Sequence, residues 1–364
     1  MGKKILFIAL CIALTVGALY FWNTQKNRTS TSQKMDLTTT FLTPTVTPVT
    51  YKETSGVFVP YWDIPTSNDY QTYDQIYYFG ISANMNGVNA ADPGYTDIKK
   101  FTSSVGIKNA YLTIRMLNTD DNITILENKK MQLKIIKEAL QTAKDNGFKG
   151  VVLDLEIGVL PFSKVVNNIN SFVADFHSSA KQNNLEFLEA VYGDTFYRKR
   201  PFDVQFLSQN SDGILIMAYD FTKANGEPGP NFPLSGKEKY GYDFKQMITD
   251  FSSIVPAEKL TVVFGMYGYD WITDLKGKAS GAGKSMALNN ITSTYVDKCK
   301  SVNCVFHRDP AAAEVEINYV DSSSASYLIY HTIWYEDEKS VAQKMNFLKE
   351  KGIGSIAYWA YGYF

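Results

Sequence analysis

The sequence is poor in the residues that most often bind metals. Its 364 residues include only 3 His and 3 Cys, and His177, His307 and His331 are scattered, without the spacing of metal ligands. It contains neither a Gly-rich phosphate-binding loop nor a G-x-S-x-G nucleophile elbow. We therefore expect no metal and no other cofactor.

The chain also lacks an excess of charge of either sign. There are 36 Lys and Arg residues against 37 Asp and Glu residues, which gives a net charge of −1. Because no basic cluster occurs beyond the N-terminus, nucleic acid is not an expected partner. Beyond Cys11 only Cys299 and Cys304 remain, and they suit a small disulfide loop outside the cytoplasm, although the sequence leaves their pairing open.

The N-terminal segment is typical of a membrane anchor. Lys3 and Lys4 precede an apolar run, residues 5–22, which carries no charge and is long enough to cross a bilayer. The lysines favour an N-terminus inside and a body outside the cell. We expect residues 1–22 to be an uncleaved anchor and residues 23–50, rich in Ser, Thr and Pro, to be a linker. A signal peptide cleaved near Val16–Ala18, which would give a secreted protein, is the alternative.

Residues 51–364 are long enough for one large α/β domain. Strand-like apolar runs alternate with helical patterns, which predicts an α/β fold of the (β/α)8 TIM barrel type. Residues 268–337, between the seventh and eighth runs, are too long for a loop and predict a small α+β insertion that forms one wall of a cleft. The eight runs are 56–62, 75–82, 109–116, 150–156, 186–192, 213–219, 259–267 and 354–361.

Two carboxylates end the fourth run, Gly150–Glu156. Residues two apart on a strand point the same way, so Asp154 and Glu156 share a face, roughly 6–7 Å apart. Buried carboxylates are costly unless they are paired, hydrogen-bonded or used in chemistry. Barrel enzymes place their active sites at this end of their strands, whereas a structural ion pair is the alternative.

Five motifs in order resemble glycoside hydrolase family 18, the family of chitinases and related N-acetylglucosaminidases. Besides Asp154-Leu-Glu156, they are Met217-Ala-Tyr-Asp220, Glu227-Pro-Gly-Pro230, Gly265-Met-Tyr-Gly-Tyr-Asp-Trp271 and Trp334-Tyr-Glu-Asp337 with the closing Ala357-Tyr-Trp359. Of these, Met217-Ala-Tyr-Asp220 corresponds to the family's M-x-Y-D motif. The resemblance covers residues 56–361 and is nearest to the bacterial spore-germination branch.

The resemblance implies a retaining glycosidase in which the 2-acetamido oxygen of the substrate attacks the anomeric carbon. Glu156 is then the general acid, Asp154 holds the acetamide, and Tyr219 donates its hydroxyl to the acetamide oxygen. Trp359 forms the floor under the sugar. Further side chains expected to bind substrate are Asp220, Met217, Tyr61, Tyr267, Trp334 and Glu189. Asp220 is nearly as well explained by a structural hydrogen bond, and Glu189 by a buried ion pair.

The expected substrate is a polysaccharide that contains N-acetylglucosamine with β-1,4 linkages, either peptidoglycan or a chitin-like glycan. The family has acidic or amide residues where this chain has Lys149 and Val152, which puts rate and pH optimum in doubt. A catalytically inactive glycan-binding lectin and a structural wall-anchoring protein are therefore alternatives. We expect a monomer, anchored in the membrane with its catalytic domain outside the cytoplasm.

Overall fold

A closed barrel of parallel strands organises this protein in its computed structural model, which describes residues 53–65, 69–105, 109–299, 303–321 and 328–364. In chain order the described strands are β1 (Thr54–Pro60), β2 (Gln75–Asn84), β3 (Gly87–Val88), β4 (Ala110–Met116), β5 (Gly150–Leu155), β6 (Glu186–Tyr192), β7 (Gly213–Ala218), β8 (Leu260–Gly265), β9 (Tyr267–Thr273), β10 (Lys284–Ala287), β11 (Val305–Arg308), β12 (Val315–Asp321), β13 (Ile329–Tyr335) and β14 (Ser355–Trp359).

Eight of these strands close the barrel in the order β1-β14-β8-β7-β6-β5-β4-β2, and β1 pairs with β2 to complete the ring. All eight pairings in the ring are parallel. This confirms the predicted (β/α)8 barrel. Since both faces of such strands are covered, β5 is buried along its whole length, which explains its continuous apolar run.

Strand alternation divides the buried side chains into two groups. Val152, Leu188 and Leu215 belong to the cluster that fills the barrel interior. Their strand neighbours, such as Leu153 and Val191, belong to the larger cluster between barrel and helices. The face on which a residue lies therefore decides whether it can reach the mouth of the barrel.

Helices cover the outside of the ring. The described helices are α1 (Pro93–Thr96), α2 (Ile98–Val105), α3 (Thr119–Leu126), α4 (Lys129–Asp145), α5 (Ser163–Gln182), α6 (Val204–Gln209), α7 (Lys237–Tyr240), α8 (Phe244–Ser252), α9 (Leu288–Ile291) and α10 (Glu338–Glu350). Local sequence sets their starts: Asn128 caps α4, and Asp337 and Ser340 form a capping box on α10.

The predicted insertion is a five-stranded antiparallel sheet, ordered β10-β9-β13-β12-β11, between β8 and α10. One of its faces carries Ile317 and Ile333 and joins the large core, and the other carries Trp271 and Trp334. A disulfide joins Cys299 and Cys304, the pairing that the sequence left open.

The predicted anchor (residues 1–22) and linker (residues 23–50) lie outside the described residues. Within the described ranges, no helix is both long enough and apolar enough to span a bilayer.

Candidate active site

The mouth of the barrel carries the acid pair at the end of β5. Asp154 is buried and shares the interior side of the strand with Val152. Glu156 follows the last strand residue: its backbone N–H donates to the carbonyl of Met116 over 2.9 Å, and its carbonyl accepts from Nδ2 of Asn122 over 2.8 Å. Glu156 is therefore held through its backbone, which leaves its carboxyl group available at the mouth.

Both carboxyls hold their protons more tightly than exposed ones. Burial raises the pKa of Asp154 to about 8; the charge of Glu156 adds to this rise, and Arg115 opposes it. Burial also raises the pKa of Glu156, against the hydrogen bond from Tyr192 and the charge of Lys223. Oδ1 of Asp154 has no hydrogen-bond partner among the described residues. Because the two groups act on each other, we describe them as a pair that keeps at least one proton at neutral pH.

Tyr219 follows β7 directly, two strands from β5 in the ring. Its ring centroid is 6.5 Å from that of Trp359 and 6.0 Å from that of Tyr267. Burial raises the pKa of Tyr219 well above its usual value, so its hydroxyl remains a hydrogen-bond donor. Met217, two residues earlier on the same side of β7, is half-buried beneath it.

Asp220 is fixed by three hydrogen bonds. Its carboxylate Oδ1 accepts from the hydroxyls of Tyr267 over 2.5 Å and Tyr269 over 2.7 Å. Its backbone N–H donates to Oδ1 of Asn231 over 2.7 Å. Its φ of 56° lies in the left-handed region, which these contacts hold in place. The structural role that the sequence allowed for Asp220 is therefore present, beside Tyr219.

Trp359 forms an apolar surface at the end of β14. Its ring centroid lies 4.5 Å from that of Phe79 and 5.7 Å from that of Phe58. A cavity of about 400 Å³ opens beside it, lined by Tyr267, Ser285, Met286, Ala287, Asn290, Trp359 and Tyr363. Such a half-buried aromatic face against a cavity suits the apolar C–H face of a sugar ring.

Tyr61 lies in the turn after β1, the strand that pairs with β14. The guanidinium of Arg115 stands 5.5 Å from its ring centroid and 5.1 Å from that of Phe79. Arg115 is in turn paired with Asp92 over 2.7 Å. Tyr61 thus joins the same end of the barrel as the acid pair.

Trp334 and Glu189, both expected to bind substrate, differ in their surroundings. Trp334 is 7% exposed, packs with Trp271 and Ala312, and pairs across the insertion sheet with Tyr269, whose hydroxyl donates to Asp220. Glu189 was expected to bind substrate, but it alternates with Leu188 and Ala190 and therefore points away from the barrel interior. The expectation was wrong because the interior register of β6 falls on the even-numbered residues. Neither carboxyl oxygen of Glu189 has a hydrogen-bond partner in the described structure, and burial raises its pKa well above the usual value.

Sequence reasoning missed Tyr192 and Asn231. The Tyr192 hydroxyl donates to Oε2 of Glu156 over 3.0 Å. The Asn231 amide donates to the carbonyls of Gly265 over 3.2 Å and Tyr267 over 3.3 Å, so it ties the ends of β7 and β8 together. Tyr192 ends a barrel strand and could have been found from that position, whereas Asn231 carries no such signal.

Metal binding has no counterpart among the residues that the structure describes. They contain no group of three or more His, Cys, Asp or Glu side chains arranged to hold an ion. The chemistry available at the mouth is therefore that of two coupled carboxyls, tyrosine hydroxyls and an apolar floor.

The chain matches a protein family over most of its length. The family model described as "Glycosyl hydrolases family 18" matches residues 22–363. A cortical fragment-lytic enzyme of Bacillus anthracis is 26% identical over 249 residues, which are 67% of this chain and 54% of that protein. A probable endochitinase of Caenorhabditis elegans is 28% identical over 239 residues, 62% of this chain and 38% of that protein. The chain thus spans about half the length, or less, of these curated relatives.

Solved structures show the same fold. The spore cortex-lytic enzyme SleL of Bacillus cereus superposes with a TM-score of 0.68 at 22% identity, covering 86% of this chain and 71% of that one. A class V chitinase from Nicotiana tobaccum gives a TM-score of 0.70 at 19% identity, with 85% and 94% covered.

Proposed function

Because the chain belongs to glycosyl hydrolases family 18, we propose that it hydrolyses β-1,4 bonds next to N-acetylglucosamine with retention of configuration. The observation that carries the proposal is the coupled Asp154–Glu156 pair, which faces Tyr219 and the apolar surface of Trp359 at the end of the barrel. A general acid must still carry its proton near neutral pH, and the raised pKa values of this pair meet that requirement.

In the first step the N-acetylglucosamine ring lies on Trp359, and its acetamide group turns toward Asp154 and Tyr219. The Tyr219 hydroxyl donates to the acetamide oxygen and sets it in line with the anomeric carbon. Glu156 gives its proton to the leaving oxygen as the C–O bond breaks, and the acetamide oxygen forms the new bond to carbon. Asp154 accepts the acetamide N–H through a carboxyl oxygen, and the negative charge that remains on the acid pair after Glu156 has given up its proton stabilises the positive oxazolinium.

In the second step the roles reverse. The Glu156 carboxylate takes a proton from water, which attacks the anomeric carbon and expels the acetamide oxygen. Two inversions at one carbon restore the original configuration. No protein side chain forms a covalent bond to the sugar: the acetamide oxygen of the substrate forms the intermediate bond, water forms the final one, and Glu156 only transfers the proton.

The substrate class is peptidoglycan or a chitin-like glycan, as the names of the lytic and chitinase relatives suggest. The test is turnover of N-acetylglucosamine oligomers and of purified peptidoglycan, with product anomers followed by NMR. Initial release of the β-anomer supports the proposal. Binding of either glycan without turnover would instead favour the lectin alternative.

Location and assembly are part of the same proposal. We propose that the apolar N-terminal run anchors the protein, with the barrel outside the cytoplasm and in monomeric form. Membrane fractionation tests the anchor, and protease accessibility of the barrel in intact cells tests its location outside the cytoplasm. Light scattering of the purified protein tests whether it is a monomer. Release of a shortened protein into the medium would favour the cleaved signal peptide.

A further inference from the structure

Three basic side chains lie on the loops that follow β6 and β7, and two of them, Arg200 and Lys223, are electrostatic neighbours of Glu156. Arg200 stacks on Tyr192, with its guanidinium carbon 3.9 Å from the ring centroid, and Tyr192 in turn donates to Glu156. Arg200 pairs with Asp194 over 2.8 and 3.0 Å, and Arg198 pairs with the same carboxylate. One buried aspartate therefore serves two arginines.

Lys223 completes this basic group and differs from the arginines in having no ion pair. Its side chain is half-buried, and no carboxylate lies within ion-pair distance of Nζ in the described part of the chain. Its electrostatic neighbours are Asp220, Asp194, Arg200 and Arg198, and burial lowers its pKa. A cation that has lost part of its hydration without gaining a partner is stabilised when an anion arrives.

The charge count around Lys223 leaves a positive excess. When Glu156 carries its proton, the three cations face two carboxylates, Asp194 and Asp220. Asp220 is already engaged by two tyrosine hydroxyls. The loops beside the acid therefore present a net positive surface.

This surface lies where the leaving sugar belongs. In the ring of strands, β14 with Trp359 is opposite β5 with Glu156. A sugar held on Trp359 must present its glycosidic oxygen to Glu156, so the sugar beyond that oxygen extends to the acid's side of the mouth. Tyr192, Arg200 and Lys223 flank the acid on that side, on the loops after β6 and β7.

We infer that Lys223, supported by the Arg198–Asp194–Arg200 group, binds a carboxylate carried by the leaving sugar, so that the preferred substrate is an acidic glycan and not a neutral one. The inference rests on the proposed function and narrows its substrate class. In peptidoglycan the sugar that follows N-acetylglucosamine carries a lactyl ether ending in a carboxyl or a peptide with its own carboxylates. Chitin has neither.

The test compares wild type with Lys223→Gln and with Lys130→Gln, which removes the same charge from an exposed position on α4. The full-length protein is assayed for kcat/KM on four glycans. They are a peptidoglycan fragment with its peptides, the same fragment after an amidase has exposed the lactyl carboxylate, that fragment with its carboxyls converted to amides, and a chitin oligomer. The first two glycans distinguish a peptide carboxylate from a sugar carboxylate.

We expect Lys223→Gln to lower kcat/KM roughly 10-fold on a carboxylate-bearing fragment, as loss of one charged hydrogen bond does. Its effect on the amidated fragment and on the chitin oligomer should be small, and Lys130→Gln should match wild type on all four. An equal loss on charged and neutral glycans would overturn the inference.

Measurements of glycan affinity, which do not require turnover, test this inference separately from the proposed function. If wild type turns over none of the glycans, the proposed function fails. Affinity for the carboxylate-bearing and amidated fragments is therefore also measured, with Glu156→Gln alone and combined with Lys223→Gln. A preference for the charged fragment that disappears with Lys223→Gln supports the carboxylate site, and no preference in the Glu156→Gln protein contradicts it.

Discussion

Two clusters of carboxyls in the described part of the chain are largely withdrawn from solvent, and they differ in what surrounds them. At the mouth of the barrel, Asp154 and Glu156 share no cation within ion-pair distance among the described residues. Behind the insertion, Nζ of Lys344 lies 3.0 Å from Glu314 and 2.5 Å from Glu336, and all three side chains are fully buried.

The second cluster is electrically balanced. Burial raises the pKa of Glu336 to about 8, so below that pH one positive charge on Lys344 faces one negative charge on Glu314. Glu314 also accepts the backbone N–H groups of Asn231 over 2.5 Å and Phe232 over 2.8 Å. Its charge is used to hold the segment that carries Asn231, and hence Asp220, in position.

The comparison indicates that burial by itself does not identify the chemical site. The carboxyls behind the insertion contact a cation and are enclosed, whereas Asp154 and Glu156 have, within the described ranges, no cation at ion-pair distance and lie where a substrate could take up a proton. Glu189 adds a second condition, because it lacks hydrogen-bond partners but is enclosed between barrel and helices. In the described part of the chain, the Asp154–Glu156 pair lacks a cation at ion-pair distance and also lies at the mouth.

Replacing the acid should produce the largest change at the mouth. Glu156→Gln keeps the shape of the side chain but cannot deliver a proton, and we expect kcat to fall about 10²- to 10⁴-fold. The free energy of unfolding should change little, since the backbone of Glu156 makes its hydrogen bonds to Met116 and Asn122. Steady-state kinetics with denaturant unfolding checks both; activity within threefold of wild type would remove Glu156 from the mechanism.

Removing the cation from the Lys344–Glu314–Glu336 cluster should instead lower the free energy of unfolding. Lys344→Met leaves the Glu314 charge buried without its cation, which typically costs about 3–5 kcal/mol of unfolding free energy. Lys339→Met, an exposed position on the same helix, is the matched control and should change it by less than about 0.5 kcal/mol. Denaturant unfolding that gives equal values for the two variants would show that the cluster does not stabilise the fold.

The sequence was sufficient for the elements that depend on local pattern. The eight buried runs became barrel strands, and Asp154 shares the interior side of β5 with Val152 because alternation along a strand is a local property. The insertion was predictable from its length alone.

The faces of individual residues were harder to predict. Glu189 is flanked on both sides by apolar residues, so nothing in its strand reveals which neighbours point inward. Trp334 likewise lies in a run of large side chains on both faces of β13. The contact between Asn231 and Glu314 joins residues 83 apart, and only the folded arrangement brings them together.

The raised pKa of Asp154 should also change how the free energy of unfolding depends on pH. The pKa of Asp154 is about 8 in the folded protein against a model value of 3.8, so between these pH values the folded state holds a proton that the unfolded chain has lost. The free energy of unfolding should therefore fall as pH rises from about 4 to about 8, by at most about 1.4 kcal/mol per pH unit from this group.

Asp154→Asn removes this contribution, and its unfolding free energy should depend less steeply on pH over that window. Chemical unfolding at a series of pH values measures the two slopes. Asp120→Asn, at an exposed position in the first turn of α3, serves as the control and should keep the wild-type slope. Identical slopes for wild type and Asp154→Asn would mean that Asp154 is charged at neutral pH in the folded protein.

The smallest expected effect comes from Tyr192, which adjusts the acid without replacing it. Its hydroxyl donates to the Glu156 carboxylate, which stabilises the charged form and lowers the pKa of Glu156. Tyr192→Phe removes that donor, so the pKa of Glu156 should rise and the alkaline limb of the kcat/KM profile should move to higher pH. The maximal rate should stay within about 10-fold of wild type, because one hydrogen bond is lost. A limb that stays in place while the rate falls would assign Tyr192 to substrate binding instead.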